Sequence, residues 1–146
     1  MADSKQKSRK QLKSSKRLKG FTLYLCHNLD YDDCVDKLRH CGFRYKRHRD
    51  YFKGWTEDRE LLPLVGKRKW ILITFDQKQR TRAIEQQLIV QYKVRQFVFT
   101  SGGIGNIGDL LCKAKGQMRS KCANNSGPFV FSISATGKVA PRHLQG

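Results

Sequence analysis

Residues 70–76, WILITFD, set five strongly apolar or β-branched side chains in a row, Ile71 to Phe75, and follow them at once with a carboxylate, Asp76. A strand with one wet face alternates, whereas an unbroken apolar run belongs to a strand covered on both sides. Such burial demands helices above and below a sheet. The flanks supply them: Val65, Gly66 and the basic turn Lys67, Arg68, Lys69 precede the run, and Ile84, Leu88 and Tyr92 repeat at four-residue spacing in a helical pattern from Thr81 to Tyr92. The run reads as the central strand of an α/β sheet that delivers Asp76 to its carboxyl edge, where open α/β sheets bind ligands.

The remaining elements alternate in the same way. Phe21 to Cys26 (FTLYLC) is rich in β-formers and predicts the first strand, with Cys26, His27 and Asn28 at its carboxyl end. A helix is expected over Asp30 to Cys41: Asp30, Asp32 and Asp33 suit its N-terminus, Cys34, Val35, Leu38 and Cys41 share a face, and Gly42 can end it. Phe43 to Lys46 predicts the second strand. Thr56 is a candidate N-cap for a helix with Glu57, Asp58 and Glu60 in its first turn, in which Pro63 lacks a backbone donor, so that helix is expected to be short, kinked or broken there. Val94 to Thr100 and Pro128 to Ser134 predict two further strands, with the helical stripe Ile107, Leu110, Leu111, Ala114 and Met118 between them.

The order βαβαβαβαβ implies one mainly parallel, doubly covered sheet with right-handed crossovers, a three-layer α/β domain. In the flavodoxin-like strand order 2-1-3-4-5 the first and third strands are neighbours, which sets Cys26 beside Asp76. The chain divides into a basic arm over residues 1–20, a domain over 21–140 and a tail over 141–146, the basic character of that end beginning at Lys138.

Charge narrows the partner. Thirty Lys and Arg stand against twelve Asp and Glu, a formal charge of +18 that exceeds what solubility requires and points to a polyanion, nucleic acid before an anionic membrane. The arm carries eight Lys or Arg, Lys16 and Arg17 among them, with one Asp and almost nothing to bury; it suits a salt-sensitive grip on phosphates, and a transit peptide is the weaker reading. No apolar run reaches the length of a membrane span and no signal-peptide core is evident, so a cytoplasmic protein without a membrane partner is expected. Past Asp109 there is no acidic residue, which makes the C-terminal third a second phosphate-attracting surface. Tyr51, Phe52 and Trp55 interrupt the basic loop HRDYFKGW and are candidate base-stacking groups, with Trp55 and Tyr51 foremost.

Two tempting motifs fail. Ser101 to Gly108 (SGGIGNIG) has neither Gly-Lys-Ser/Thr nor G-x-G-x-x-G and reads as a flexible turn. The five cysteines, 26, 34, 41, 112 and 122, form no Cys-x-x-Cys pair and are expected to be reduced; a zinc site from Cys26, His27, His40 and Cys41 fits no finger or ribbon spacing.

LYLCHNL, the Leu38 to Gly42 helix end, HRDYF with TEDRELL, WILITFD, and PFVFSIS with Gly137 together resemble, in their order, the short PIN-like domains of bacterial toxin–antitoxin systems, over about residues 21–140. The resemblance implies carboxylates that hold Mg²⁺ or Mn²⁺ for hydrolysis of RNA phosphodiesters. Asp58 matches the family's second acidic position and Asp76 its third. Asn28 and Leu29 match the family's Asn-Leu, which puts Cys26 where the first metal-binding Asp stands; a thiol is a soft substitute for the oxygen a hard ion prefers.

The expected site is then Asp76, Asp58, Cys26 and Asn28, with Asp58 and Asp76 on the metal, Glu57 and Asp30 as auxiliaries, and His27, Trp55, Lys78, Arg80 and Arg82 beside the arm on the RNA. The resemblance also implies an acidic antitoxin or other protein partner and a homodimer. A toxin-like metal-dependent endoribonuclease with an altered site is the first reading, and an RNA-binding or ribonucleoprotein component that has lost catalysis is the alternative. A response-regulator-like module is disfavoured, because its acidic pocket is missing at the first strand.

Overall fold

The computed structural model describes residues 21–75, 83–100 and 104–142. In chain order these form β1 (Thr22–Leu25), α1 (Asp32–His40), β2 (Arg44–Arg47), α2 (Asp58–Arg68), β3 (Ile71–Phe75), α3 (Ala83–Gln91), β4 (Arg95–Phe99), α4 (Ile107–Asn124), β5 (Phe129–Ile133) and β6 (Val139–Arg142). One sheet takes all six strands in the order β2-β1-β3-β4-β5-β6. The first five run parallel in the order expected, and β6 pairs antiparallel with β5.

The missing alternation in the strands has its cause in two apolar layers. Leu23, Leu25, Ile71, Ile73, Phe97 and Phe99 face one way, into a core closed by Cys34, Val35 and Leu38 of α1 and by Leu111, Ala114 and Met118 of α4. Tyr24, Leu72, Val98 and Val130 face the other way, against Leu61, Leu62 and Val65 of α2 and Ile89 of α3. Helix α2 passes unbroken through Pro63. Its buried Leu61, Leu62 and Val65 hold it on the sheet and outweigh the one backbone bond that proline removes. At Gly66 the α2 backbone meets the Tyr92 carbonyl so closely that no Cβ fits.

Several expectations are corrected. Helix α1 begins at Asp32 rather than Asp30, because the Asp30 carboxylate is engaged by arginines of β2 and its following turn. The N-cap of α2 is Glu57, not Thr56, whose hydroxyl instead donates to the Gly54 carbonyl at 3.4 Å. Val139 to Arg142 is not tail but a strand: the Ser134 amide donates to the Lys138 carbonyl at 3.0 Å and Gly137 takes φ 82° in the hairpin that turns β5 into β6. An edge strand tolerates Pro141.

The cysteines are not all reduced, since Cys41 and Cys112 form a disulfide that ties the end of α1 to α4. With Cys41 so engaged, and with Cys26 and His27 at the opposite end of α1 from His40, the zinc grouping does not assemble. Part of the SGGIGNIG segment is ordered as a 3-10 turn over Ile104–Asn106 that runs into α4; residues 101–103 lie outside the described residues. No helix among the described residues is long and apolar enough to cross a membrane.

Candidate functional site at the carboxyl edge

The parallel pairing of β1 with β3 brings Cys26 to the end of the central strand. Leu25 lies opposite Ile73, and the Cys26 amide donates to the Ile73 carbonyl at 3.2 Å. The backbone amides of Asn28, Leu29 and Phe75 point at the Cys26 sulfur, so this thiol stands one residue from position 76. Burial pushes the Cys26 thiol up, and those amides only partly offset it. The group is therefore a protonated thiol at neutral pH. Behind it the 3-10 turn His27–Leu29 buries Leu29 and leaves His27 and Asn28 exposed.

Asp30, Asp32, Asp33, Glu57 and Asp109, all at this edge, are already partnered. Asp30, whose side chain is only 4% exposed, accepts from Arg47 Nε at 2.6 Å, from the Arg49 amide at 2.9 Å and from Arg49 Nε at 3.3 Å. Burial alone would raise its carboxyl, but the Arg49 amide and the Arg47 guanidinium outweigh burial and hold it below the ordinary value. Arg47 also reaches Asp32 at 3.0 Å. Lys37 bridges Asp33 at 3.3 Å and Asp109 at 2.8 Å, which ties α1 to the first turn of α4. Glu57 is held by Arg59 at 2.8 Å. None of these long-range pairs is visible in the sequence, because Asp30 and Arg49 are brought together only once β2 has paired with β1.

The loop after β2 is anchored by a buried histidine. His48 is 2% exposed; its Nε2 carries the proton donated to the Gly54 carbonyl, and its Nδ1 accepts from the Tyr24 hydroxyl at 2.9 Å. Tyr24 stacks on Trp70 with ring centroids 5.7 Å apart, and Tyr51 packs on Trp70 at 5.1 Å. Tyr51 and Phe52 are thus partly consumed in packing, whereas Trp55 remains 72% exposed. The His27 ring leans on His48 at 5.5 Å, which links the β1 end to this loop. His48 carries no obvious sequence signal: HRDYF reads as a solvated basic loop.

Of the expected site residues, the structure brings together Cys26, His27 and Asn28 and sets Trp55 on the neighbouring loop. Asp58 opens α2 at the same edge of the sheet, although its side chain lies outside the described residues. Asp76, Lys78, Arg80, Arg82, Lys16 and Arg17 lie outside the described residues as well. Among the described residues no group of three His, Cys, Asp or Glu side chains could hold a metal ion. Among the donors that are described, the protonated Cys26 thiol is a poor ligand for a hard dication and the Asp30 carboxylate is taken up by two arginines, which leaves the Asn28 amide oxygen as a suitable one.

A mainly parallel sheet covered on both faces, whose first and third strands end side by side at a carboxyl edge, defines an open three-layer α/β domain. The family model of the PIN-like domain matches residues 29–101, half of the chain, and the chain belongs to that family. No characterised protein and no solved structure matched it.

Proposed function

We propose that this chain is an RNA-binding member of the PIN-like family in which hydrolysis is weakened or lost at the first ligand position. One observation carries the proposal: the residue at the end of β1, where the family's resemblance implies a metal-binding Asp, is a half-buried thiol that burial keeps protonated. The nearest carboxylate in the chain, Asp30, does not replace it, because Arg47 and Arg49 hold it. The RNA partner follows from the charge of +18 and from the exposed Trp55 and His27 beside the same edge.

Asp58 and Asp76 favour a second reading, a toxin-like endoribonuclease dependent on Mg²⁺ or Mn²⁺, since both stand where the family places carboxylates. An acidic protein partner, a homodimer and a cytoplasmic location belong to that reading as expectations. One experiment separates the two. The purified chain is incubated with a structured RNA pool in Mg²⁺, Mn²⁺ or EDTA, and cleavage is followed beside a salt titration of binding. Tight, salt-sensitive binding without cuts under any metal is expected, with cleavage appearing in Cys26→Asp only while Asp58 and Asp76 are intact. Metal-dependent cuts by the wild type that vanish in Asp76→Asn would overturn the binding reading in favour of the enzyme.

A further inference from the structure

The carboxylates of this protein gather at one end of its sheet, whereas its cations stand at both. Every carboxylate among the described residues except Asp36 lies in the first turn of a helix or in the loop leading to one, which is the carboxyl edge of the parallel strands. The amino edge is the reverse. There Arg44 opens β2, Lys67, Arg68 and Lys69 close α2, Lys93 precedes β4, and Arg119 lies on the last turns of α4; all are exposed. Arg44, Arg68, Lys93 and Arg119 form no ion pair among the described residues.

Helix dipoles account for acids at helix starts and for Lys67 and Arg68 in the last turn of α2. They do not account for Arg44, which is on a strand. Lys69 and Lys93, just past the C-terminal ends of α2 and α3 where the dipole also favours a cation, are the two non-glycine residues with left-handed backbone among the described residues, at φ 57° and 52°. At those positions Gly or Asn would sit with less backbone strain, so lysine stands there against conformational preference.

We propose that the amino edge of the sheet is a second nucleic-acid face, separate from the candidate catalytic edge, and that it docks the phosphate backbone of duplex RNA. The proposal rests on the RNA reading above. Duplex rather than single strand follows from what the edge lacks. The large exposed apolar side chains among the described residues are Tyr51, Trp55, Ile84 and Val90; the two aromatics are in the loop after β2, and Ile84 and Val90 lie on α3. A face of cations without stacking rings holds phosphates and 2′-hydroxyls but does not splay bases. Val90, in the last turn of α3, is the one large apolar side chain exposed at this edge among the described residues, too little to seat a protein in an anionic membrane. Six strands about 4.8 Å apart give an edge about 24 Å long, long enough to engage a duplex backbone at several phosphates.

The test is a fluorescence-anisotropy titration without metal, using an RNA duplex of about 16 base pairs, a single-stranded RNA of the same length, and anionic phospholipid vesicles as competitor. It compares wild type with Arg44→Gln/Arg68→Gln/Arg119→Gln and with Lys53→Gln/Lys113→Gln/Lys138→Gln, which removes equal charge at the carboxyl edge. The amino-edge triple is expected to weaken duplex binding at least tenfold and to lower the slope of log K against log salt by about three, roughly one for each phosphate left without its cation. The carboxyl-edge triple should change that slope by less than one, and Arg44→Lys/Arg68→Lys/Arg119→Lys should keep the wild-type slope, since charge and not shape is read. Equal losses in both Gln triples, no loss in either, or vesicles that displace the duplex would each overturn the proposal. Wild-type binding to single strands alone would overturn only this inference, whereas binding to neither RNA would overturn the functional reading with it.

Discussion

The two faces of the sheet are built from alternate residues of the same strands, yet they are held together differently. Toward α1 and α4 the interior is nearly all hydrocarbon, with Phe97, Phe129 and Phe131 in mutual contact at 4.9 to 5.8 Å between centroids and the Cys41–Cys112 bridge at its rim. Toward α2 and α3 the interior carries polar tips: Tyr24 reaches His48, Gln96 Nε2 donates to Thr74 Oγ1 at 2.7 Å, and Trp70 lies among tyrosines. Hydrocarbon packing is non-directional and tolerates repacking, whereas the hydrogen-bonded side fixes one geometry. That directional side is the one joined, through His48, to the exposed loop that ends in Trp55.

The largest expected effect breaks the hydrocarbon face at its rim. The disulfide joins residues 71 apart, and closing a loop of that size in the unfolded chain stabilises the fold by about 4 kcal/mol in the chain-entropy account. Cys112→Ser should lower the unfolding free energy by up to that amount in a urea titration. Reductant should destabilise the wild type to the same level and leave the variant unmoved. Equal stability with and without reductant in the wild type would mean that the bridge contributes nothing to holding α1 against α4.

A smaller effect is expected where the two faces meet at the carboxyl edge. Asp30 sits between the end of β1 and the turn that holds His48, and its carboxyl is held below the ordinary value. The sign follows from linkage: a depressed folded pKa contributes stability that is fully present above the unfolded value of about 3.9 and is lost as pH falls through the folded one. Asp30→Asn should therefore cost about 2 kcal/mol at neutral pH, the scale of a charge-assisted hydrogen bond, and should show a shallower loss of stability on acidification below about pH 4 than the wild type. Superimposable acid limbs would show that other carboxylates carry that part of the curve.

What was readable in the sequence is what depends on local pattern. Ile71 to Phe75 announced a doubly covered strand, and the strand order followed from alternating elements, so Cys26 could be placed beside the end of β3 from the pattern alone. What was hidden depends on partners distant in the chain. Lys138, Pro141 and Arg142 look like a tail until β5 offers an antiparallel edge, and Cys41 and Cys112 look like two core thiols of separate helices until α1 and α4 pack. Asp30 reads as helix-opening charge until β2 supplies two arginines. His48 reads as part of a solvated loop because nothing local reveals that Tyr24 points at it from the neighbouring strand.

The smallest expected effect tests whether that directional side governs the loop. Tyr24→Phe keeps the ring stacked on Trp70 and removes only the hydroxyl that donates to His48 Nδ1. Losing one hydrogen bond and leaving a buried acceptor unmatched should cost about 1–2 kcal/mol, less than either change above. The consequence should be local as well: with one of its two ring partners gone, His48 holds the Gly54 carbonyl less firmly, and the segment from Tyr51 to Trp55 should exchange amide hydrogens faster while the α1 and α4 amides keep their protection. If exchange instead quickens equally over both faces, the hydrogen bond supports the whole fold and the two sides do not differ in the way argued. If exchange in the loop is unchanged at the expected loss of stability, His48 is held by packing against Phe52 and not by its polar partners.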